Sequence, residues 1–304
     1  MADLLPFRKK NNKSKELVAI HIAPEGVAIA SASVVAGLRK LSYVAFLDVS
    51  EPLNNASLVA SEVSEVGLSD SCCSLVLSTG EYQLLLVEAP EVPKDELKEA
   101  LIWRVKDLIQ YSTDDVIIDF FELPDDAFRG RRKMLYVVAA DRKLIEKRIS
   151  WLESIKLTPV YIDVPEIALL NIAENLSESE AGTVILYLDE KQSIVNMMSG
   201  SWLYLSRALS YSHSAQLDNT VLDLQRSMDY FESQIGKSAC TRIIVLPLQI
   251  GETPLMMELR RNLDADVQSL DLGDVIESDV PLAIDLQQRC FLAIAAALRN
   301  EAGA

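Results

Sequence analysis

The amino-acid sequence predicts an α/β protein of two lobes, each built on a β-meander, and three observations carry that prediction. Residues 17–48 and 183–209 both read as strand, turn, strand, turn, strand, with apolar runs punctuated by Pro, Gly, Asp and Ser. Each meander is followed by a mixture of helical patterns and short apolar strands. At 304 residues with 49% apolar positions, the chain can bury two moderate cores, and its length favours two packed lobes over one.

In order, strands are expected at 17–22, 27–33 and 41–48, joined by a Pro-Glu-Gly turn and a turn at Gly37. A polar helix over 56–65 leads to strands at 73–78 and 82–88. Pro90 and Pro93 punctuate the entry to a helix over 94–111. Strands at 116–123 and 134–140 flank a charged loop, 124–133, read as a solvated hairpin tip. A helix over 141–155, a strand at 159–163 and a helix from Pro165 complete the first half. Residues 177–182 are helix-breaking and separate the halves.

The second half offers strands at 184–188, 193–199 and 202–207, then a long helix, 217–235. A strand at 242–246, a helix at 254–263, a short strand near Val267 and a C-terminal helix over 281–299 follow. The expected layout is a basic disordered tail (1–16), a first-lobe core (17–89), an inserted α/β subdomain (90–163), a connecting helix and linker (164–182) and a second lobe (183–304). Duplicated meanders of this kind suggest a two-lobed actin-like architecture, in which nucleotide sits between the lobes.

Charge and composition exclude several functions. A net charge of −16 argues against nonspecific nucleic-acid binding, which needs clustered Lys and Arg to neutralise phosphates. Cys72, Cys73, Cys240 and Cys290 lack C-x-x-C spacing, and His21 and His213 are the two histidines. A thiolate–imidazole metal site or a nucleophilic triad has little to work with, and inert thiols are expected. No run of eighteen apolar residues occurs, and the first residues place apolar side chains before charges, the reverse of a secretory signal. The expected location is the cytoplasm. Arg8, Lys9, Lys10, Lys13 and Lys15 cluster just after Leu4, Leu5 and Phe7. The cluster reads either as a weak anchor to an anionic membrane surface, each cation worth about 1 kcal/mol there, or as a solvated terminus.

Four segments, E-A-L-I-W-R-V-K-D-L-I-Q-Y (99–111), D-F-F-E-L-P (119–124), V-V-A-A-D-R-K-L-I (137–145) and Y-I-D-V-P-E-I-A-L-L-N-I-A (161–173), resemble, in order, the PilM family of type IV pilus assembly proteins. The resemblance extends from Leu17 over almost the whole chain, is most specific between Pro90 and Ala173, and is weak after Gly236. It implies a cytoplasmic actin-like protein, kin to the cell-division protein FtsA and peripheral to the inner membrane. It also implies a partner: the short cytoplasmic tail of a PilN-like single-pass inner-membrane protein.

Nucleotide-binding members of that family open with V-G-I-D-I-G-S-S-x-V-K, where Asp supports hydrated magnesium and the Gly and Ser amides wrap phosphate. This chain has V-A-I-H-I-A-P-E-G-V-A. His21 replaces the aspartate, Ala23 the glycine, Pro24 and Glu25 the serines, and Ala28 the lysine. Imidazole is a poor ligand for a hard oxygen-seeking cation, proline has no N–H to offer, and Glu25 adds negative charge. The second phosphate strand, L-V-D-I-G-A-x-x-T in the family, is matched by I-L-Y-L-D-E-K-Q-S, with Tyr187 at the aspartate and Asp189 at the glycine. A carboxylate about 4 Å from a phosphate oxygen costs about 4 kcal/mol at an effective dielectric of about 20. Pro247-Leu248 replaces the adenosine-contacting Gly-Gly.

The expectation is therefore a non-catalytic adaptor without ATP or magnesium. The competing reading is an actin-like ATP-binding protein whose nucleotide state gates docking, with Asp189 and Glu190 holding a metal in shifted geometry. A structural, hydrogen-bonded His21 is the plain alternative for that residue. A small-molecule enzyme lacks any convergent acid–base constellation.

On the helix 94–111, Ala100, Leu101, Val105, Leu108 and Ile109 share a face at helical spacing and are expected in the core. Trp103 lies opposite, near Lys106 and Asp107. Either it helps anchor the partner's tail, or it packs against a neighbouring subdomain.

Overall fold

The computed structural model describes residues 16–176, 181–189, 192–209 and 217–299. Residues 1–15, which hold the basic tail, lie outside that range, and Glu16 opens the first strand. β1 (Glu16–Ala23), β2 (Gly26–Val35) and β3 (Leu38–Asp48) form the first meander, antiparallel throughout. β4 (Cys72–Val76) and β8 (Thr158–Asp163) extend it in parallel, giving the order β3-β2-β1-β4-β8. Val18, Ala19 and Ile20 of β1 and Ala28, Ile29 and Ala30 of β2 are all buried, so this sheet is covered on both faces.

The second lobe repeats the plan. β9 (Gly182–Tyr187), β10 (Ser193–Ser199) and β11 (Trp202–Leu209) make the meander. β12 (Cys240–Leu246) and β13 (Asp266–Ser269) lie parallel to β9, giving β11-β10-β9-β12-β13. The two five-stranded sheets thus share one topology. Between them in sequence, β5 (Tyr82–Glu88), β6 (Val116–Glu122) and β7 (Met134–Asp141) form a separate antiparallel sheet, β5-β7-β6.

Sheet pairing draws the seams differently from the sequence layout. β5 lies before Pro90 yet belongs to the inserted sheet, whereas β8 lies within 90–163 yet returns to the first sheet. Apolar runs mark strands but not their partners, and β8 reaches β4 only through the crossover helix α3 (Arg142–Ser154), capped by Asp141 Oδ1 accepting from Leu144 N at 2.8 Å.

The C-terminal helix, α7 (Ile284–Ala297), falls in the second lobe by its place in the chain. It packs chiefly across β1–β4 and against α4 (Pro165–Ala173), while Gln287 and Phe291 keep contact with Leu272 and Tyr187 of the second half. Cys290, Phe291, Leu292 and Ile294 are buried there, each large apolar side chain worth about 1.5–3 kcal/mol. Arg299 just beyond it forms a buried ion pair with Asp163 of β8, 2.7 Å apart.

Two further elements differ from expectation. The helix predicted over 94–111 is α2 (Leu97–Val105) alone. Leu108 N and Ile109 N both bond Val105 O, tightening the last turn, and Gln83 Oε1 takes the Gln110 N–H at 2.8 Å, drawing the chain away. The charged loop is no solvated tip. Asp126 accepts from Tyr204 Oη at 2.8 Å and pairs with Lys237, Arg129 Nη2 donates to Ser233 O at 3.1 Å, and Phe128 meets Tyr230 edge-on. The inserted subdomain is thereby tied to the second lobe beside α5 (Leu217–Tyr230), which ends in a π-turn over Phe231–Ile235.

The β2–β3 hairpin turns on two residues, Ala36 at φ 51° and Gly37 at φ 87°, the primed geometry that matches strand twist. At the β1–β2 turn, Gly26 is required by close approach, since a Cβ there would lie 2.1 Å from Leu47 O.

Candidate functional site: the interlobe cleft

The turns that end β1 and β9 face one another across the seam between the lobes, as the duplicated topology dictates. They enclose a cavity of about 240 Å³, walled by His21, Ala23, Pro24 and Glu25 from one side and by Tyr187 and Asp189 from the other. The five degenerate positions singled out in the sequence, His21, Ala23, Glu25, Tyr187 and Asp189, are therefore brought together. α7 closes the base with Arg289 and Leu292.

His21 Nε2 lies 3.3 Å from Ser78 Oγ, which itself donates to Ile22 O at 3.0 Å. Burial holds the imidazole pKa below its ordinary value, against the opposing pull of Asp189, Glu81 and Glu25. His21 is thus hydrogen-bonded to a strand-end serine of its own lobe. Tyr187 stacks on Phe291, centroids 5.5 Å apart, and burial raises its phenol pKa far beyond the ordinary range. Its position is filled by a neutral ring rather than a carboxylate. Asp189 Oδ2 accepts from Thr79 Oγ1 at 2.8 Å, a direct bond between the lobes.

Among the described residues, the cations at the cleft are committed to carboxylates. Arg289 pairs with Asp48, and its guanidinium lies 3.7 Å from the centre of the Phe46 ring. Arg148, in an adjoining opening of about 670 Å³, pairs with Glu81, which also accepts from Ser78 N at 2.9 Å. Beyond β12, where an adenosine-contacting Gly-Gly would stand, Pro247 and Leu248 occupy the chain, and Leu248 O accepts from Gln288 Nε2 at 2.9 Å.

This donor set does not fit magnesium–nucleotide. Two carboxylates, Glu25 and Asp189, line the cavity, Pro24 contributes no N–H, and both guanidiniums are paired. Among the described residues, no group of three or more His, Cys, Asp or Glu gathers as metal ligands, and Glu190 lies outside them. The cysteines are unpaired thiols, and burial raises Cys240 and Cys290 to about 12.

Sequence reasoning missed Thr79, Arg148, Arg289 and a buried carboxylate, Glu166. Glu166 accepts from Tyr82 Oη at 2.6 Å, and burial raises its pKa to about 7. Arg289 and Asp48 are 241 positions apart, so no spacing could announce their pairing. For Glu166, a carboxylate inside an apolar helix start was the available signal.

The second candidate site lies on α2. Leu97, Leu101 and Val105 are buried against the inserted sheet, whereas Leu108, expected in the core, is 57% exposed because the helix has ended. Trp103 is 63% exposed, so it does not pack against a neighbouring subdomain. Lys106 Nζ lies 5.3 Å from its ring centre, and Asp107 is exposed beside it.

No protein-family model and no curated sequence matches the chain. Among solved structures, a Bacteroides thetaiotaomicron protein of actin-like ATPase fold and unknown function superposes with a TM-score of 0.54 at 9% identity, covering 94% of this chain and 98% of that one. The fold is actin-like. A PilM–PilN type IV pilus biogenesis complex superposes on the same actin-like frame with a TM-score of 0.71 at 18% identity, covering 93% and 97% of the two chains. The cytoplasmic domain of EpsL, an inner-membrane component of the Vibrio cholerae type II secretion system, gives 0.52 at 13% identity over 94% and 96%. Among the described residues, no helix is long and apolar enough to cross a membrane.

Proposed function

We propose that this chain is a non-catalytic, PilM-like adaptor of type IV pilus assembly, of the MSHA-pilus kind exemplified by MshI, working in the cytoplasm against the inner membrane. Its partner is the cytoplasmic tail of a PilN-like single-pass membrane protein, held at Trp103 with Lys106 and Asp107. One observation carries this reading. The described cations of the interlobe cleft, Arg148 and Arg289, are paired with the chain's own carboxylates, while a large aromatic stands open on α2. Function follows the site and not the fold, and among the described residues this actin-like frame carries no phosphate-binding set.

The solved PilM–PilN complex supports the choice of partner by likeness of fold, and the motifs at 99–111 and 161–173 support it by likeness of sequence. The competing reading, nucleotide-gated docking, rests on the cavity between the lobes. Binding of a PilN-like tail peptide to the wild type and to Trp103→Ala tests the proposal. The variant is expected to lose about thirtyfold in affinity, an anchor-residue effect, with its thermal midpoint nearly unchanged. Equal affinity for both proteins would remove Trp103 from the interface.

A further inference from the structure

Among the described residues, the loop between β6 and β7 is the one place where two adjacent non-glycine residues are left-handed, and neither site uses it. Phe128 holds φ 55° and ψ 31°, Arg129 holds φ 58° and ψ 33°, and Gly130 follows at φ 65°. Such residues in succession make a turn of left-handed helix, a conformation that side-chain-bearing residues visit singly. Gly130 suits it. Phe128 and Arg129 do not, and the one backbone bond that spans the turn, from Arg131 N to Phe128 O at 3.2 Å, is small compensation.

The second lobe is what holds the turn. Phe128 meets Tyr230 edge-on, Arg129 Nη2 donates to Ser233 O at 3.1 Å, and the Arg129 stem lies against Gly236, where a Cβ would come within 2.6 Å of Arg129 Cγ. Asp126 pairs with Lys237, whose ammonium also lies 4.2 Å from the centre of the Tyr204 ring. The receiving chain is irregular too. α5 widens into the π-turn over Phe231–Ile235 and stops at Gly236, φ 86°, with Gly236 N bonding Phe231 O at 3.1 Å. The last carbonyls of a helix lack donors of their own, and Arg129 supplies one to Ser233.

Two rare backbone forms therefore meet at one contact, from opposite sides of the junction between the inserted subdomain and the second lobe. Such conformations persist where their surroundings over-determine them, and they gather at switch regions. The contact itself is shallow. Ala127 is buried, but Asp126, Arg129 and Gly236 are exposed, and exposed ion pairs hold weakly and weaken with salt. A strained loop gripped by such contacts has a relaxed alternative close in free energy.

We infer that the 125–130 loop is a releasable latch between the inserted subdomain and the second lobe, strained while it grips the π-turn and relaxed when it lets go. The inference goes beyond tail docking. It needs no partner, so the experiment can contradict it while docking at Trp103 stands, and the reverse.

The test is hydrogen exchange of the full chain, read by mass spectrometry on peptides spanning 124–133 and 231–237. Both segments are expected to open together, with protection about tenfold or more below that of β9 and β12, and to open further as salt rises. Lys237→Ala is expected to raise exchange in both segments about tenfold. Arg129→Asn is the decisive variant, because Asn tolerates the left-handed backbone while the guanidinium is removed. It should raise exchange about tenfold on both sides of the junction with the thermal midpoint nearly unchanged, which separates release of the latch from unfolding. Exchange that rises at 124–133 alone would overturn the inference, since the loop would then have no grip on the π-turn. So would protection of both segments equal to that of β9 and β12 and lost only with global unfolding in urea, which would make the contact a fixed strut.

Discussion

The interlobe cleft and the outward face of α2 use similar side chains to opposite ends. In the cleft, Arg148 and Arg289 meet Glu81 and Asp48, Thr79 meets Asp189, and Tyr187 stacks on Phe291. On α2, Lys106 of the chain's own described residues lies over the Trp103 ring, and Trp103 is largely exposed. A site whose groups satisfy one another gains rigidity and has few donors left for a guest. A face whose aromatic lacks a packed neighbour has its desolvation gain still to make. On the proposed reading, the seam serves structure and the helix serves recognition.

The largest expected effect is that of Arg299→Ala, at the buried pair that ties the end of α7 to β8 in the first lobe. It takes an ion-pair partner from Asp163, which is 2% exposed, and should cost about 3–5 kcal/mol in urea unfolding. A loss below about 1 kcal/mol, the range of exposed pairs, would show that the first lobe does not depend on this pair.

Glu166 gives the next effect, through pH. Its folded pKa of about 7 lies above the ordinary carboxylate value of 4.5, so the folded state holds the proton more tightly than the unfolded chain. The stabilisation is full below about pH 4.5 and is lost as pH rises through about 7. Relative to Glu166→Gln, the wild type should therefore lose about 3 kcal/mol between pH 4 and 8. Parallel stability profiles for the two proteins would contradict the burial argument.

Thr79→Val removes the interlobe hydrogen bond to Asp189 at nearly constant volume, and a loss of about 1 kcal/mol is expected. The smallest effect belongs to α2. Trp103→Ala should shift stability by no more than about 0.5 kcal/mol, as exposed positions do, while tail binding falls. A large destabilisation without a binding defect would erase the distinction between the two regions.

Much of this was written locally. Apolar alternation and turn residues placed the strands, and the helix over Ala56–Glu65 and the strand over Tyr82–Glu88 coincide with the sequence reading. The gapless motif V-A-I-H-I-A-P-E-G-V-A placed one wall of the cleft. What sequence periodicity could not carry was partnership across distance. α7 is second-lobe by order yet lies chiefly on the first sheet, β8 is separated from β4 by an entire subdomain, and Asp126 finds Tyr204 and Lys237 across the lobes. The end of α2 at Val105 was hidden for another reason: Gln83, on a different element, takes the hydrogen bond that draws the chain away.

We propose that the described residues of the cleft hold no set of groups for a nucleoside triphosphate, so that this actin-like frame works through its surface. Isothermal titration of the full chain with Mg-ATP tests it most directly. No saturable heat is the predicted result, for wild type and for Asp189→Ala alike. Saturable micromolar binding that Asp189→Ala abolishes would contradict the account.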